Sequence, residues 1–153
     1  MPNFLQIFFH LMLSKKTQYA FRALVQLAEN YGKEPVRISA ISIQQKIPLK
    51  FLEQILNDLK KADMLESKKG KGGGYMLKVS PKELNLAKVI RIVNGPIALL
   101  PCVSLNFYKK CDDCDEDTCG TRKMMLIARD ATLKVLEKKT IYDMMKESQN
   151  AGI

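Results

Sequence analysis

The sequence predicts a mainly α-helical chain carrying one small β-hairpin. Three observations lead there. Apolar residues recur at helical spacing through residues 15–30, 49–62 and 121–138, residues 75–79 alternate with strand period, and a lysine- and glycine-rich run joins that segment to a second strand candidate. At 153 residues and 46% apolar composition, the chain can build one ordinary domain with an extension and is no disordered tail.

In the first helix, Tyr19, Ala23, Leu27 and Tyr31 recur every fourth residue with Ala20, Leu24 and Ala28 beside them, and Gly32 ends it. A short helix fits residues 38–46. Pro48 interrupts it, because proline cannot continue the hydrogen-bond ladder but can open the next helix. A third helix over residues 49–62 places Phe51, Leu52, Ile55, Leu56 and Leu59 on one face and Lys50, Glu53, Gln54, Asn57 and Lys61 on the other. Two short helices joined by a tight turn, the second with a polar outer face, form a helix-turn-helix. Residues 64–67 and 75–79 then flank a tip of three lysines and four glycines, which lets backbone amides and ammonium groups approach phosphate closely. A hairpin directly after a recognition helix is a wing.

Ser80, Pro81 and Glu83 have the pattern of a helix N-terminus, and a helix through Leu86, Val89, Ile90 and Val93 stops at Asn94-Gly95-Pro96. A long helix over residues 121–138 offers Met124, Ile127, Ala128, Ala131, Leu133, Val135 and Leu136, more apolar surface than one helix buries in its own small domain. Thr140 caps a last short helix through Ile141, Met144 and Met145. The implied division is an extension at 1–11, a winged helix-turn-helix DNA-binding domain at 12–96, a cysteine-rich sensor loop at 97–120, a dimerisation helix with the short C-terminal helix at 121–147, and a tail at 148–153.

Charge supports double-stranded DNA as the partner. Net charge is +9, all of it within residues 1–100, where 16 basic residues face 7 acidic ones. Lys68, Lys69 and Lys71, with Gly73 and Tyr75, are the expected wing contacts, while Lys50, Glu53 and Gln54 are expected to read base edges. A helix-turn-helix protein commonly binds a palindromic operator as a homodimer, which gives the spare apolar helix a use. Enzymatic signatures are missing: the sequence has no Ser/His/Asp constellation and no phosphate-loop motif. A winged-helix module that binds protein rather than DNA is the competing class.

The chain has four cysteines, Cys102, Cys111, Cys114 and Cys119, all in one acidic loop segment. Gathered thiolates suit an iron–sulfur cluster. The alternatives are a structural zinc, for which the two-residue gap between Cys111 and Cys114 is apt, a thiol redox switch, or inert loop cysteines. Asp112, Asp113, Asp115, Glu116 and Asp117 are expected to raise the thiol pKa values and oppose the redox switch.

Residues 1–13 lack a basic start and a cleavage site, so no secretory signal is expected, the run is too short to span a membrane, and a cytoplasmic location with reduced thiols follows. That run packs on the fold, precedes a true start at Met12, or anchors at a membrane surface; His10 within it is given no chemistry.

The segments LSKKTQYAFRALVQLA, PLKFLEQILNDLKKADMLES and KGKGGGYMLKVSPKELNLAKVIRIVNGPI, together with the cysteine loop, resemble the Rrf2 family of bacterial winged-helix regulators, the group of IscR, NsrR and CymR. The resemblance spans residues 12–146. It implies that three loop cysteines hold an iron–sulfur cluster whose state sets DNA affinity, with a variable fourth ligand, and that the long helix forms the dimer. This sequence departs from the family pattern at the two known fourth-ligand positions, which hold Arg122 and Gln18, neither a good iron ligand. Its fourth cysteine makes an all-thiolate set of Cys102, Cys111, Cys114 and Cys119 plausible on stoichiometry.

Overall fold

The computed structural model describes residues 13–152, so the run at 1–11, with His10, and Met12 lie outside the described residues. Helix α1 spans Lys15–Glu29 and begins at Ser14, whose hydroxyl accepts the Thr17 N–H at 3.2 Å. Thr17 is fully buried, and its hydroxyl donates to Asn94 Oδ1 at 3.1 Å, which also accepts the Ser14 N–H at 3.0 Å. One amide oxygen thus ties the start of α1 to the end of α4 (Leu86–Val93).

Helix α2 (Ile38–Gln45) stops at Lys46, which turns left-handed at φ 52°, and the Ser42 hydroxyl closes the turn by donating to the Ile47 carbonyl at 2.7 Å. Helix α3 (Leu49–Lys61) follows, with Leu52, Ile55, Leu56 and Leu59 fully buried. Phe51, expected on that face, is instead 50% exposed because it lies at the edge of the apolar stripe, edge-on to Tyr19.

Strands β1 (Leu65–Lys68) and β2 (Gly74–Leu77) pair antiparallel, with Lys68 opposite Gly74 and Leu65 opposite Leu77. Val36 adds a short third rung against Tyr75. Residues 80–83 make a turn, closed by Glu83 N–H to Ser80 O at 2.9 Å, and the N-cap of α4 is Asn85.

A 3₁₀ turn (Pro101–Val103) opens the cysteine loop, and helix α5 (Gly120–Leu136) follows it. Helix α6 (Ile141–Asn150) starts at a capping box in which Thr140 and Asp143 satisfy each other's backbone N–H groups. It runs three residues beyond the expected boundary at 147, since nothing in Ser148-Gln149-Asn150 breaks a helix. It also packs on α1, with Ile141 and Met145 in the main core, so α6 completes the helical domain instead of extending α5. Helix α5 buries only Leu133 and leaves Met124, Ile127 and Val135 57–62% exposed.

Candidate nucleic-acid interface and cysteine cavity

The outer edge of α3 carries Lys50, Glu53, Gln54 and Asn57, all exposed. Among the described residues none of the four forms an ion pair. A polar edge with free donors and acceptors is what reading base edges requires. Asn57 was not among the expected base readers, although it lies on the same face as Lys50 and Gln54.

Beside this edge stands the hairpin. Lys68, Lys69 and Lys71 are exposed at its tip, where Gly70 and Gly72 take φ of +90° and +81°. Tyr75 and Gly73 have a different place from the lysines, for both are half-buried. The Tyr75 N–H donates to the Val36 carbonyl at 2.8 Å and its carbonyl accepts the Val36 N–H at 2.9 Å, so Tyr75 anchors the wing. A Cβ on Gly74 would fall on the Val36 carbonyl, and one on Gly73 on the Lys68 carbonyl. The glycines are therefore demanded by close backbone approach as well as by turn geometry.

The structure brings the four cysteines together. Cys102, Cys111, Cys114 and Cys119 all line one cavity of about 410 Å³, with Lys109, Lys110 and Asp112 on the same wall. Cys102 is buried in the 3₁₀ turn, the other three are half-buried, and all four are free thiols. Cys119 is the N-cap of α5, where its sulfur accepts the Arg122 N–H at 3.4 Å. That bond, aided by the neighbouring Cys114 thiol, lowers the Cys119 pKa. Cys114 is pushed up to about 12, first by its hydrogen bond with Cys111, then by burial and by Cys119. The acidic side chains of the loop, expected to raise the thiol values, are not among these causes. Cys114 neighbours Cys111 and Cys119, and among the described residues no group of three or more His, Cys, Asp or Glu side chains is arranged to hold a metal ion.

Contacts that the sequence did not announce hold this loop in place. Arg129 donates to the Val103 carbonyl at 2.7 Å, tying the turn that bears Cys102 to α5. Tyr108 donates to the Glu116 carboxylate at 2.9 Å, and Arg122 lies 3.9 Å from the same carboxylate. No periodicity announces such contacts, because each involves an irregular loop.

The sequence profile of the Rrf2 family, described as "Iron-dependent Transcriptional regulator", matches residues 13–147. The chain belongs to the Rrf2 family of transcriptional regulators. It is 36% identical over 145 residues to an Rrf2-like HTH-type transcriptional regulator of Rhodobacter capsulatus, covering 92% of this chain and 97% of that one. Among solved structures, CymR of B. subtilis, described as its global cysteine regulator, superposes with a TM-score of 0.74 at 25% identity, covering 89% of this chain and 97% of CymR. IscR of T. potens gives 0.74 at 25% identity, covering 93% and 91%. The mainly helical fold with a two-stranded wing is thus the Rrf2 fold. Among the described residues no helix is long and apolar enough to cross a membrane.

Proposed function

We propose that this Rrf2 protein is a sequence-specific DNA-binding regulator that acts as a homodimer and senses iron–sulfur, redox or nitric oxide status through a cysteine-held cluster. The observation that carries the DNA reading is the unpaired polar edge of α3 beside a lysine wing whose register is fixed by Val36 and Tyr75. In this reading α3 lies in the major groove with Lys50, Glu53 and Gln54 on base edges, and Lys68, Lys69 and Lys71 reach phosphate. The exposed Met124, Ile127 and Val135 of α5 support a two-fold dimer seam, which would set two recognition helices one helical turn of DNA, or a multiple, apart.

The donor set fits an iron–sulfur cluster. Cys102, Cys111, Cys114 and Cys119 all line one cavity of about 410 Å³, and four thiolates are the soft donor set that such a cluster takes. Cys102, Cys111, Cys114 and Cys119 would hold the group. When bound it would supply a one-electron or ligand-exchange response to oxidants and nitric oxide. The protein's part is positional: Cys102 sits seven residues after Gly95 and Cys119 caps the dimer helix, so holding both fixes how the helical domain sits on α5.

The test is protein purified without oxygen. Bound iron with acid-labile sulfide and visible absorbance is expected; zinc alone would replace the cluster by a structural site, and neither metal would leave a thiol switch or an inert loop. Absence of salt-sensitive binding to duplex DNA would overturn the whole reading in favour of a protein-interaction module.

A further inference from the structure

The recognition helix has two flanks, and only one of them faces the wing. On that side Lys60 Nζ donates to Ser67 Oγ of β1 at 2.6 Å. On the opposite side α3 meets α1: Phe51 packs edge-on against Tyr19 with ring centroids 6.4 Å apart, and Asp58 pairs with Lys16 at 2.6 Å. The outward polar edge of α3 runs between these flanks. An α-helix with its side chains is about as wide as the major groove, roughly 10–12 Å, so a helix seated there has a phosphate backbone on either side. A wing on one flank accounts for one backbone only.

The α1 flank carries unneutralised positive charge. Lys15 Nζ and the Arg22 guanidinium each lie 5.6 Å from the centroid of the Tyr19 ring. Both are exposed, and among the described residues neither forms an ion pair. Lys16, by contrast, is neutralised by Asp58. The Tyr19 ring, itself edge-on to Phe51 of α3, holds both cations near it, where two flexible side chains would otherwise scatter.

We infer that Lys15 and Arg22, mounted on the Tyr19–Phe51 aromatic pair, form a second phosphate-binding flank that grips the DNA backbone across the major groove from the wing. The inference rests on the DNA-binding reading given above and adds to it a contact made by α1. Each residue then neutralises one phosphate, independent of base sequence.

The experiment measures affinity for a random-sequence duplex of about 30 base pairs at several salt concentrations, since nonspecific binding isolates phosphate contacts. Lys15→Ala and Arg22→Ala should each lower the slope of log K against log[salt] by about 0.9, and the double variant by about 1.8. Arg22→Lys should keep the slope. Lys146→Ala, which removes a cation held 5.7 Å from the Tyr142 ring on α6, controls for net charge and should leave the slope unchanged. Tyr19→Leu, which keeps both charges, should weaken binding less than the double variant does. The melting temperature of each variant shows that it is folded.

If wing variants at Lys68, Lys69 and Lys71 lower the slope but the Lys15/Arg22 double variant behaves like Lys146→Ala, the α1 flank is refuted while the DNA reading stands. If the wild-type protein shows no salt-dependent binding, the DNA reading itself fails. An unchanged slope with a weakened dimer in sedimentation would overturn the inference and assign the flank to contact with a second copy of the chain.

Discussion

Val36 and Tyr75 exchange two backbone hydrogen bonds, of 2.8 and 2.9 Å, and so fasten the wing to the segment that leads into α2. The hairpin is therefore not a free two-stranded flap, which would be marginal in water, because β2 lies between β1 and the bridge at Val36. The wing's position relative to α3 follows from this attachment.

Gly74 is the residue that permits it. A Cβ there would overlap the Val36 carbonyl, so Gly74→Ala must either push Val36 away or shift β2. Destabilisation of about 1–3 kcal/mol is expected, as for overpacking elsewhere. The variant should also lose DNA affinity, because the wing lysines are displaced. A melting curve and salt-dependent affinity that both match the wild type would show that the rung does not hold the wing.

Wing and recognition helix should fail differently. Lys69→Ala should weaken binding to every sequence and lower the salt slope by about 0.9. Gln54→Ala should cost about 1–3 kcal/mol on operator DNA and little on random DNA. Equal losses on both DNAs for Gln54→Ala would remove it from the base readers.

Most of the helices were legible in the sequence because burial on one face writes itself as a 3.6-residue period, and α1 and α3 lie where that period places them. The third rung was not legible. Val36 pairs through backbone atoms alone and stands in a segment too short to alternate. Gly74 read as part of the turn, although it is in the strand, because glycine's lack of a side chain has the same sequence signature in both settings. The cysteine site was legible as a set of residues but not as a shape: the gaps of eight, two and four residues say nothing about Arg129 and Tyr108, which hold the loop so that all four thiols line one cavity.

Helix α6 should respond to acid through Asp143. The Thr140 backbone N–H, and then its hydroxyl, hold the Asp143 carboxyl below the usual carboxylate range. A depressed folded-state pKa contributes stability that is present above the unfolded value and lost as pH falls through the folded one. Asp143→Asn should therefore be less stable than wild type near neutral pH, with the difference closing below the ordinary aspartate range. A stability gap independent of pH would mean that the charged form is not what the cap requires.

The exposed face of α5 should be a dimer seam. Placing a charge at Ile127, which is 62% exposed in the single chain, should not harm the fold but should bury an unpaired carboxylate in a dimer. Ile127→Glu is expected to raise the dimer dissociation constant by about 30-fold or more, the effect of losing roughly 2 kcal/mol at an interface centre. Sedimentation showing the wild type to be monomeric at micromolar concentration, or the variant as dimeric as the wild type, would sink the assignment.

Cys119 combines two roles that one substitution can separate. As N-cap of α5 it accepts the Arg122 N–H, and as one of four thiols around the cavity it is a proposed cluster ligand. Serine caps helices well but is a hard donor poorly suited to iron–sulfur ligation, so Cys119→Ser should preserve α5 and lose the cluster. Without the proposed cluster, the loop would no longer fix the helical domain on α5. DNA affinity should then change by about 5–150-fold, the range of ordinary allosteric coupling. The comparison is made on protein purified without oxygen, with circular dichroism confirming the helix. Iron content and operator affinity equal to wild type would show that Cys119 is a cap and nothing more.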